Sequence, residues 1–245
     1  ALLLPLIAVT LLTKCGCTDI IGGREVCPHS WPYMAAIQWK NSIVNCGGAL
    51  VKKQWVLTAA HCRINKLKHR VVLGAHRVSV AENEQQIFKI AEIFRHDDFN
   101  QPPFENDIML LKVLLKTLQN GEKKHGEMSL PTLSSDAKVG QGCENLNLQG
   151  GAPSHGRGVG TRSLRESCAK KYASEAKITN NMLCALGKKR SSLSDTCKGD
   201  SGGPLICADK YRGIVSFGKE CGQTDIPGVY TRLTKKYIDW IKEKI

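Results

Sequence analysis

The 245-residue sequence lacks several patterns that would each point to a particular class of protein. Its eleven cysteines include no Cys-x-x-Cys pair, which excludes the usual spacing of zinc ligands. It has no internal repeat or low-complexity tract. With 42 % hydrophobic and 23 % charged residues, its composition argues against a disordered, collagen-like or coiled-coil chain. Acidic residues are few, 22 against 35 Lys and Arg, and the resulting net charge of +13 suits polyanionic partners.

Long apolar runs are also missing after the first twelve residues, so no membrane span is expected in the rest of the chain. Residues 1–12 (ALLLPLIAVTLL) are too few to cross a bilayer core of ~30 Å as a helix. We interpret residues 1–17 as a signal peptide whose basic start and initiator Met are missing, the alternative being a buried strand. Scattered cysteines and this segment together predict a secreted or vesicular protein. No Asn-x-Ser/Thr sequon is present, so no N-glycosylation is expected.

Short β-branched or aromatic runs alternate with Gly, Pro, Asn and Asp clusters after residue 20. The predicted strands lie at 33–39, 54–58, 70–73, 87–94, 108–113, 204–207, 213–217 and 228–231. Many short strands at this spacing predict an all-β sandwich or barrel. The exception is 233–245, where apolar residues recur at three- and four-residue steps and predict an amphipathic helix. The polar stretch 121–126 is the predicted linker between two halves.

Three short motifs carry residues suited to nucleophilic catalysis. GDSGGP at 199–204 places three glycines around an Asp-Ser pair, which alone could be a Gly-rich turn between strands. Serine becomes a good nucleophile only when a base takes its proton and backbone amides receive the oxyanion, and glycines permit the required tight turn. TAAHC at 58–62 and NDIMLL at 106–111 add a histidine and a carboxylate. The order His, Asp, Ser is a known order of the catalytic triad.

Together with IIGG at 20–23, these motifs resemble the chymotrypsin–trypsin family of serine proteases. Within it the chain resembles the granule proteases of cytotoxic lymphocytes, the granzymes of A and K type, in EVCPHSWPYMA, VLGAH and LTKKYIDWIK. The resemblance covers nearly all of 20–142 and 168–245. It implies an all-β fold of two antiparallel Greek-key β-barrels with a C-terminal α-helix. The peptidase domain would span 20–245, with barrels at about 20–122 and 130–232 and the helix at about 233–245.

The resemblance also implies a role for each motif residue. His61 would be general base and then general acid, Asp107 would hold its tautomer, and Ser201 would attack the scissile carbonyl. The backbone N–H groups of Gly199 and Ser201 would form the oxyanion hole.

Substrate specificity is expected to follow from a pocket that matches those of tryptic relatives. The expected substrate-binding residues are Asp195, Thr196, Ser216, Gly218 and Gly228. A buried carboxylate at Asp195 would select Lys or Arg, because an apolar side chain would leave its charge unpaired. The alternative for Asp195 is an ordinary loop carboxylate.

Activation is expected to require cleavage before Ile20, whose freed amine would pair with Asp200 and order the pocket. Thr18 and Asp19 would form an activation dipeptide where a trypsin-activated zymogen carries Lys or Arg. This resembles the granule proteases that a dipeptidyl peptidase activates.

The resemblance implies four disulfides, and it leaves Cys27 either free or intermolecular. The expected pairs are Cys46–Cys62, Cys143–Cys207, Cys168–Cys184 and Cys197–Cys221. Granzymes of the A type form a disulfide-linked dimer through a cysteine between the catalytic His and Asp. This sequence has none between Cys62 and Asp107, so a monomer is expected.

Residues 144–167 depart from the family pattern. The family expects an Ala-Gly-Trp-Gly strand, a loop and an alternating strand, whereas this segment is shorter and has no apolar alternation. Codon degeneracy allows a neighbouring frame of 148–152 to encode Ala-Gly-Trp-Gly. One hypothesis is therefore a frame error or a wrong exon boundary. The opposing one is a degraded gene whose second barrel lacks two strands, with exposed edges.

The predicted function is a tryptic serine endopeptidase, made as a zymogen and stored in cytotoxic granules. Its expected partners are protein substrates and sulfated proteoglycan. The alternative is a catalytically inactive, cationic protease homologue that binds sulfated glycans or microbial surfaces. No cofactor or metal is expected, and no nucleic-acid reading motif occurs. The remaining histidines are expected at the surface: 29, 69, 76, 96, 125 and 155.

Overall fold

The computed structural model describes residues 19–20, 23–25, 28–41, 43–78, 80–100, 104–114, 142–148, 155–187, 201–219 and 225–245. At 19–20, 23–25, 145–148, 155–162 and 187 it describes the backbone alone. The predicted linker at 121–126 and the leader at 1–17 lie outside these ranges.

The described chain forms fourteen strands, two α-helices and one 3₁₀ turn at Ala60–Cys62. The strands are β1 (Asp19–Ile20), β2 (Gly23–Glu25), β3 (Met34–Trp39), β4 (Val44–Lys52), β5 (Trp55–Thr58), β6 (His69–Leu73), β7 (Gln86–Arg95), β8 (Met109–Val113), β9 (Gly142–Leu148), β10 (His155–Arg162), β11 (Met182–Gly187), β12 (Pro204–Cys207), β13 (Lys210–Phe217) and β14 (Gly228–Arg232). The helices are α1 (Arg165–Tyr172) and α2 (Lys235–Lys244).

Six strands close into the first barrel in the order β3-β4-β5-β8-β7-β6. Their inward side chains are apolar and lie in one core that includes Ile37, Leu57, Val71 and Leu110, all fully buried. On β7, Phe88 is buried whereas its neighbour on the chain, Ile87, is 49 % exposed. This difference follows from the two-residue period of a strand, which sends successive side chains to opposite faces.

The second barrel is an antiparallel sheet in the order β1-β2-β10-β11-β14-β13-β12-β9, and β9 also pairs with β10. This extra pairing joins the first and last of the six strands β10-β11-β14-β13-β12-β9. Its core cluster is smaller than the first and includes Leu183, Leu205, Val215 and Tyr230. β2, which lies within the range expected for the first barrel, pairs with β10 of this second sheet instead, and β1 pairs with β2.

Strands β9 and β10 lie mostly in the unusual segment 144–167. They pair over seven residues, from Gly142 opposite Thr161 to Leu148 opposite His155. β9 also pairs with β12, and β10 with β11. The structure therefore contains both strands that the degraded-gene hypothesis expected to be missing. The origin of the unusual sequence stays a hypothesis.

The predicted fold class is confirmed: two antiparallel barrels and a C-terminal helix. Helix α2 buries Tyr237, Ile238, Trp240 and Ile241, and most of these side chains join the core of the first barrel. Helix α1 was not predicted, because its sequence RESCAKKY buries only Cys168 and Tyr172 and carries no apolar stripe. Among the residues that the structure describes, no helix is long and apolar enough to cross a membrane.

The expectation that the other histidines lie at the surface is wrong for three of them. His69, His76 and His96 are 2 %, 8 % and 5 % exposed. The ring of His69 packs under Trp39, and that of His96 packs against Tyr237 and Trp240. Isolated histidines in polar sequence give no sign of these distant aromatic neighbours.

Three of the four disulfides that the resemblance implies are present in the described chain. Cys46–Cys62 joins β4 to the 3₁₀ turn, Cys143–Cys207 joins β9 to β12, and Cys168–Cys184 joins α1 to β11. Each bridge in a secreted domain contributes ~2–5 kcal/mol. Cys197 and Cys221 of the fourth pair, and Cys27, lie outside the described residues.

Candidate functional site

Pairing of β5 with β8 brings His61 and Asp107 to the same end of the first barrel. Thr58, the last residue of β5, lies opposite Met109, the first of β8. His61 follows Thr58 by one short turn, and Asp107 precedes Met109. The His61 ring Nδ1 lies 2.7 Å from Asp107 Oδ2, and the His61 backbone N–H donates to Oδ1 at 2.9 Å.

The Asp107 carboxylate is fully buried, whereas the His61 side chain is 16 % exposed. Burial of an unpaired carboxylate is costly, so its oxygens need donors. Besides His61, the Ser216 hydroxyl donates to Oδ2 at 2.5 Å. The Thr231 hydroxyl donates to the Asp107 backbone carbonyl at 2.8 Å. Ser216 and Thr231 belong to β13 and β14, so the second barrel completes the environment of a carboxylate that the first barrel carries.

The loop that carries Asp107 is anchored to helix α2 through Asn106. Asn106 has φ of 53°, in the left-handed region that asparagine tolerates better than most residues. Its Oδ1 accepts hydrogen bonds from Tyr237 OH and Lys236 Nζ, each at 3.0 Å, and its Nδ2 donates to the Asp98 carbonyl at 2.9 Å. Burial raises the pKa of Tyr237, so its hydroxyl stays a donor.

Ser201 lies between the two barrels and is held by hydrogen bonds to both. Its carbonyl accepts the N–H of Gly47 on β4 at 2.8 Å. The next residue, Gly202, donates its N–H to the Val215 carbonyl on β13 at 2.9 Å. The Ser201 carbonyl oxygen also lies 3.8 Å from Cys62 Sγ, which places Ser201 against the residue that follows His61.

Glycine is required at Gly202 by both space and backbone conformation. Its φ is +83°, and a Cβ there would lie 2.1 Å from Thr58 Oγ1 and 2.6 Å from the Gly47 carbonyl. A Cβ on Gly47 would in turn lie 3.2 Å from Gly203 Cα. Glycines on both sides therefore let the Ser201 segment dock directly on β4.

A row of aromatic rings begins beside His61, and the sequence analysis did not single these rings out. The Phe104 ring meets His61 edge-on at 6.0 Å and stacks on Phe217 at 5.0 Å. Tyr172 packs against Phe217 at 5.7 Å and donates its hydroxyl to the Pro227 carbonyl at 2.7 Å. Phe217 lies between Ser216 and Gly218 in the sequence, and both of these were expected in the substrate pocket. That position was the one sequence signal that could have pointed to Phe217 as a site residue.

Several expected site residues lie outside the described chain: Asp195, Thr196, Cys197, Gly199, Asp200 and Cys221. Of the others, Gly218 is exposed just after β13, and Gly228 is buried at the start of β14 opposite Ala185. The backbone of Ile20 pairs with Gly23 in β1–β2. The structure thus brings together His61, Asp107 and Ser216 by hydrogen bonds and places Ser201 beside them.

One group of metal-ligand residue types, Cys46, His61 and Cys62, brings its ligand atoms within 4.8 Å of one another. Both sulfurs belong to the Cys46–Cys62 disulfide and so offer no thiolate. The Nδ1 of His61 is engaged by Asp107. This group does not fit a metal site.

Comparison with known proteins places this geometry in a family. A family model described as Trypsin matches residues 20–241. Granzyme A of Bos taurus is 39 % identical over 240 residues, covering 94 % of this chain and 89 % of that protein. Granzyme-like protein 1 of Rattus norvegicus is 36 % identical over 250 residues, covering 99 % and 97 %. The solved structure of neuropsin, a serine protease expressed in the limbic system of mouse brain, matches with a TM-score of 0.76 at 34 % identity, covering 92 % of this chain and 99 % of that chain.

Proposed function

Since this chain belongs to the trypsin family of serine endopeptidases, we propose that it cleaves peptide bonds after Lys or Arg through an acyl-enzyme. Ser201 would be the nucleophile, His61 the general base and Asp107 the residue that orients His61. The observation that carries this proposal is the 2.7 Å contact between His61 Nδ1 and the fully buried Asp107 carboxylate. With its proton on Nδ1 facing Asp107, the imidazole keeps Nε2 as an acceptor.

The proposed reaction follows from that tautomer. Ser201 Oγ attacks the scissile carbonyl as its proton moves to His61 Nε2, and Asp107 stabilises the imidazolium. The proton then passes to the leaving amine, which breaks the peptide bond and leaves an ester on Ser201. Water attacks this ester with His61 again as base, releasing the acid product. The N–H groups of Gly199 and Ser201 would stabilise the oxyanion of both steps.

Preference for Lys or Arg rests on the resemblance at Asp195, with Thr196, Ser216, Gly218 and Gly228 as the other pocket residues. Gly218 and Gly228 have no side chain to fill the space that a long cationic group needs. A carboxylate buried at the base would pair with that cation and would reject apolar side chains.

Activation would begin with removal of Thr18 and Asp19 by a dipeptidyl peptidase, after loss of residues 1–17. In the uncut chain Asp19 pairs with Arg24 and Ile20 with Gly23. Cleavage would remove the Asp19 partner of that short ladder and free the Ile20 amine to pair with Asp200. The uncut protein would accordingly be a zymogen.

The similarity to granzyme A and the expected signal peptide support a secreted protease of the cytotoxic granule. The lack of a cysteine between Cys62 and Asp107 supports a monomer. Its net charge of +13 supports storage on sulfated proteoglycan, since polyanions hold such a chain electrostatically.

The test uses protein that begins at Thr18. It combines labelling by a fluorophosphonate probe with hydrolysis of matched peptide esters that end in Lys, Arg, Phe or Leu, before and after dipeptidyl peptidase treatment. We expect treatment to switch on both labelling and Lys/Arg turnover. Ser201→Ala should abolish both, Ser163→Ala should change neither, and Asp195→Ser should lower Lys/Arg turnover alone. Folded, treated protein without labelling would instead support the inactive cationic homologue, and labelled protein without Lys/Arg preference would refute the specificity.

A further inference from the structure

Two adjacent turns at one end of the first barrel expose apolar side chains among lysines. The turn at 39–43 follows β3 and the turn at 65–68 precedes β6. The two lie side by side, since the Lys40 N–H donates to the Lys68 carbonyl at 3.0 Å. We define the turn-pair surface by its exposed side chains: Trp39, Lys40, Ile43, Lys66, Leu67 and Lys68.

The apolar members of this surface are unusually open to solvent. Leu67 is 72 % exposed, Ile43 61 % and Trp39 38 %. Both turns are shaped by local hydrogen bonds, because Asn65 Oδ1 accepts the Leu67 N–H at 2.8 Å and Asn41 Oδ1 accepts the Ile43 N–H at 3.4 Å. Leucine and isoleucine are thus held at the tips of defined turns, where nothing within the described chain covers them.

The stretch of chain that contains both turns carries only positive charge. Residues 26–81 contain eight Lys and Arg and no Asp or Glu. The next acidic residues along the chain, Glu82 and Glu84, lie toward the opposite end of β6. There Glu82 accepts from the backbone N–H groups of His76 and Arg77, and Glu84 contacts His29. Within the described part of the chain, Lys40, Lys66 and Lys68 form no ion pair.

We propose that the turn-pair surface docks the protein on a membrane of anionic phospholipid. Lysines beside an anionic leaflet gain from its negative surface potential. Trp, Leu and Ile at the same level can enter the interface, where tryptophan is especially favoured. A sulfated polysaccharide would use the lysines but would leave Leu67 and Ile43 in water, so the apolar tips favour the bilayer.

Docking would hold the candidate active site close to the bilayer, because the 65–68 turn begins four residues after His61. Membrane-associated proteins would then be preferred substrates. That consequence rests on the proposed protease function, whereas the membrane surface itself does not.

The test uses the full chain carrying Ser201→Ala, with vesicles of phosphatidylcholine alone or of equimolar phosphatidylserine and phosphatidylcholine. We expect salt-sensitive sedimentation that is stronger with the anionic vesicles than with phosphatidylcholine alone. Lipids with brominated acyl chains should quench the emission of Trp39, measured as the difference from Trp39→Phe. The apolar residues 1–12 are common to all variants, so vesicle binding by each variant is compared with binding by its parent.

Matched variants separate local docking from overall charge and overall apolarity. Lys66→Gln with Lys68→Gln should weaken vesicle binding by roughly tenfold or more. Lys242→Gln with Lys244→Gln, on exposed positions of α2, removes the same charge and should change it by less than about twofold. Leu67→Ser should weaken binding by about tenfold, whereas Leu164→Ser, at a side chain that is 59 % exposed, should not.

Three results would overturn the proposal. The first is an equal loss of vesicle binding in the two double lysine variants. The second is a Leu67→Ser variant that binds vesicles like its parent. The third is Trp39 emission that brominated lipids do not quench. Heparin retention that depends on Lys66 and Lys68 without vesicle binding would show a polyanion site and would also refute it. Unchanged thermal unfolding establishes that each variant is folded. If the Ser201→Ala protein binds vesicles and the unsubstituted protein has no protease activity, only the proposed function is refuted.

Discussion

Replacement of Asp107 by Asn is the most informative change to the candidate site, because three donors converge on its carboxylate. The Oδ1 atom accepts the His61 backbone N–H. The Oδ2 atom accepts both His61 Nδ1–H and the Ser216 hydroxyl. An asparagine side chain has one acceptor and one donor end, so one of these positions must meet an N–H group.

The structure decides which position that is. The backbone N–H of His61 cannot become an acceptor, so the amide oxygen should occupy the Oδ1 position and the NH₂ group the Oδ2 position. The Ser216 hydroxyl can rotate to accept, and His61 can move its proton to Nε2. Under the proposed mechanism, His61 could then no longer take the Ser201 proton, and kcat should fall by roughly 10⁴-fold. That factor corresponds to about 5 kcal/mol of activation free energy.

Stability should change much less than activity. The site keeps its hydrogen bonds with two of them reversed, so the free energy of unfolding should fall by ~1–3 kcal/mol. The assays are steady-state hydrolysis of a Lys ester, urea unfolding, and nitrogen NMR of the His61 ring to identify the protonated atom. Asp97→Asn, an exposed carboxylate change nearby, is the matched control. A kcat within about tenfold of the parent, or a ring still protonated at Nδ1, would refute the reasoning.

Three further changes test other parts of the structure. Ser216→Ala removes a donor to the buried carboxylate and should lower the unfolding free energy in urea by ~1–3 kcal/mol, and equality with Ser163→Ala would contradict this. Gly202→Ala should destabilise the protein by more than about 3 kcal/mol in the same assay, because its Cβ would collide with the Gly47 carbonyl. Gly142→Ala, where a Cβ meets nothing within 4 Å, should be tolerated. Burial, then the charge of Lys236, lowers the pKa of His96 below 6.5, so the unfolded chain binds the proton first. Stability should therefore fall as pH drops below about 6.5, and His96→Phe should flatten that fall in urea unfolding at several pH values.

Most strand positions followed from local sequence pattern, and the misses have a physical cause. The strand β4 was not predicted, since Gly47 and Gly48 in its centre have low strand propensity. The fold needs them there: a Cβ on Gly48 would lie 2.9 Å from Val56 Cγ1. Strands β9 and β10 lack apolar alternation and are identified by their backbone pairing instead. Such requirements arise from close approach between strands and leave no periodic signal.

The contacts around Asp107 were likewise out of reach of sequence reasoning. Asn106, Tyr237 and Thr231 lie in three separate segments, and Thr231 is 124 residues from Asp107 along the chain. Ser216 was expected only in the substrate pocket, yet its hydroxyl lies on the carboxylate. Nothing in the local sequence around these residues shows that they share a partner.

The sequence by itself determined the all-β class, the C-terminal helix and, through its motifs, the family. Periodicity and turn residues report local conformation, and a motif reports which residue types stand at which spacing. Tertiary structure alone decided that Asp107 is fully buried and that Ser216, 109 residues away, donates to it beside His61. It also decided that His96 is buried while Leu67 is open to solvent. Burial and hydrogen bonding depend on which distant strands pack together, and local pattern does not encode that choice.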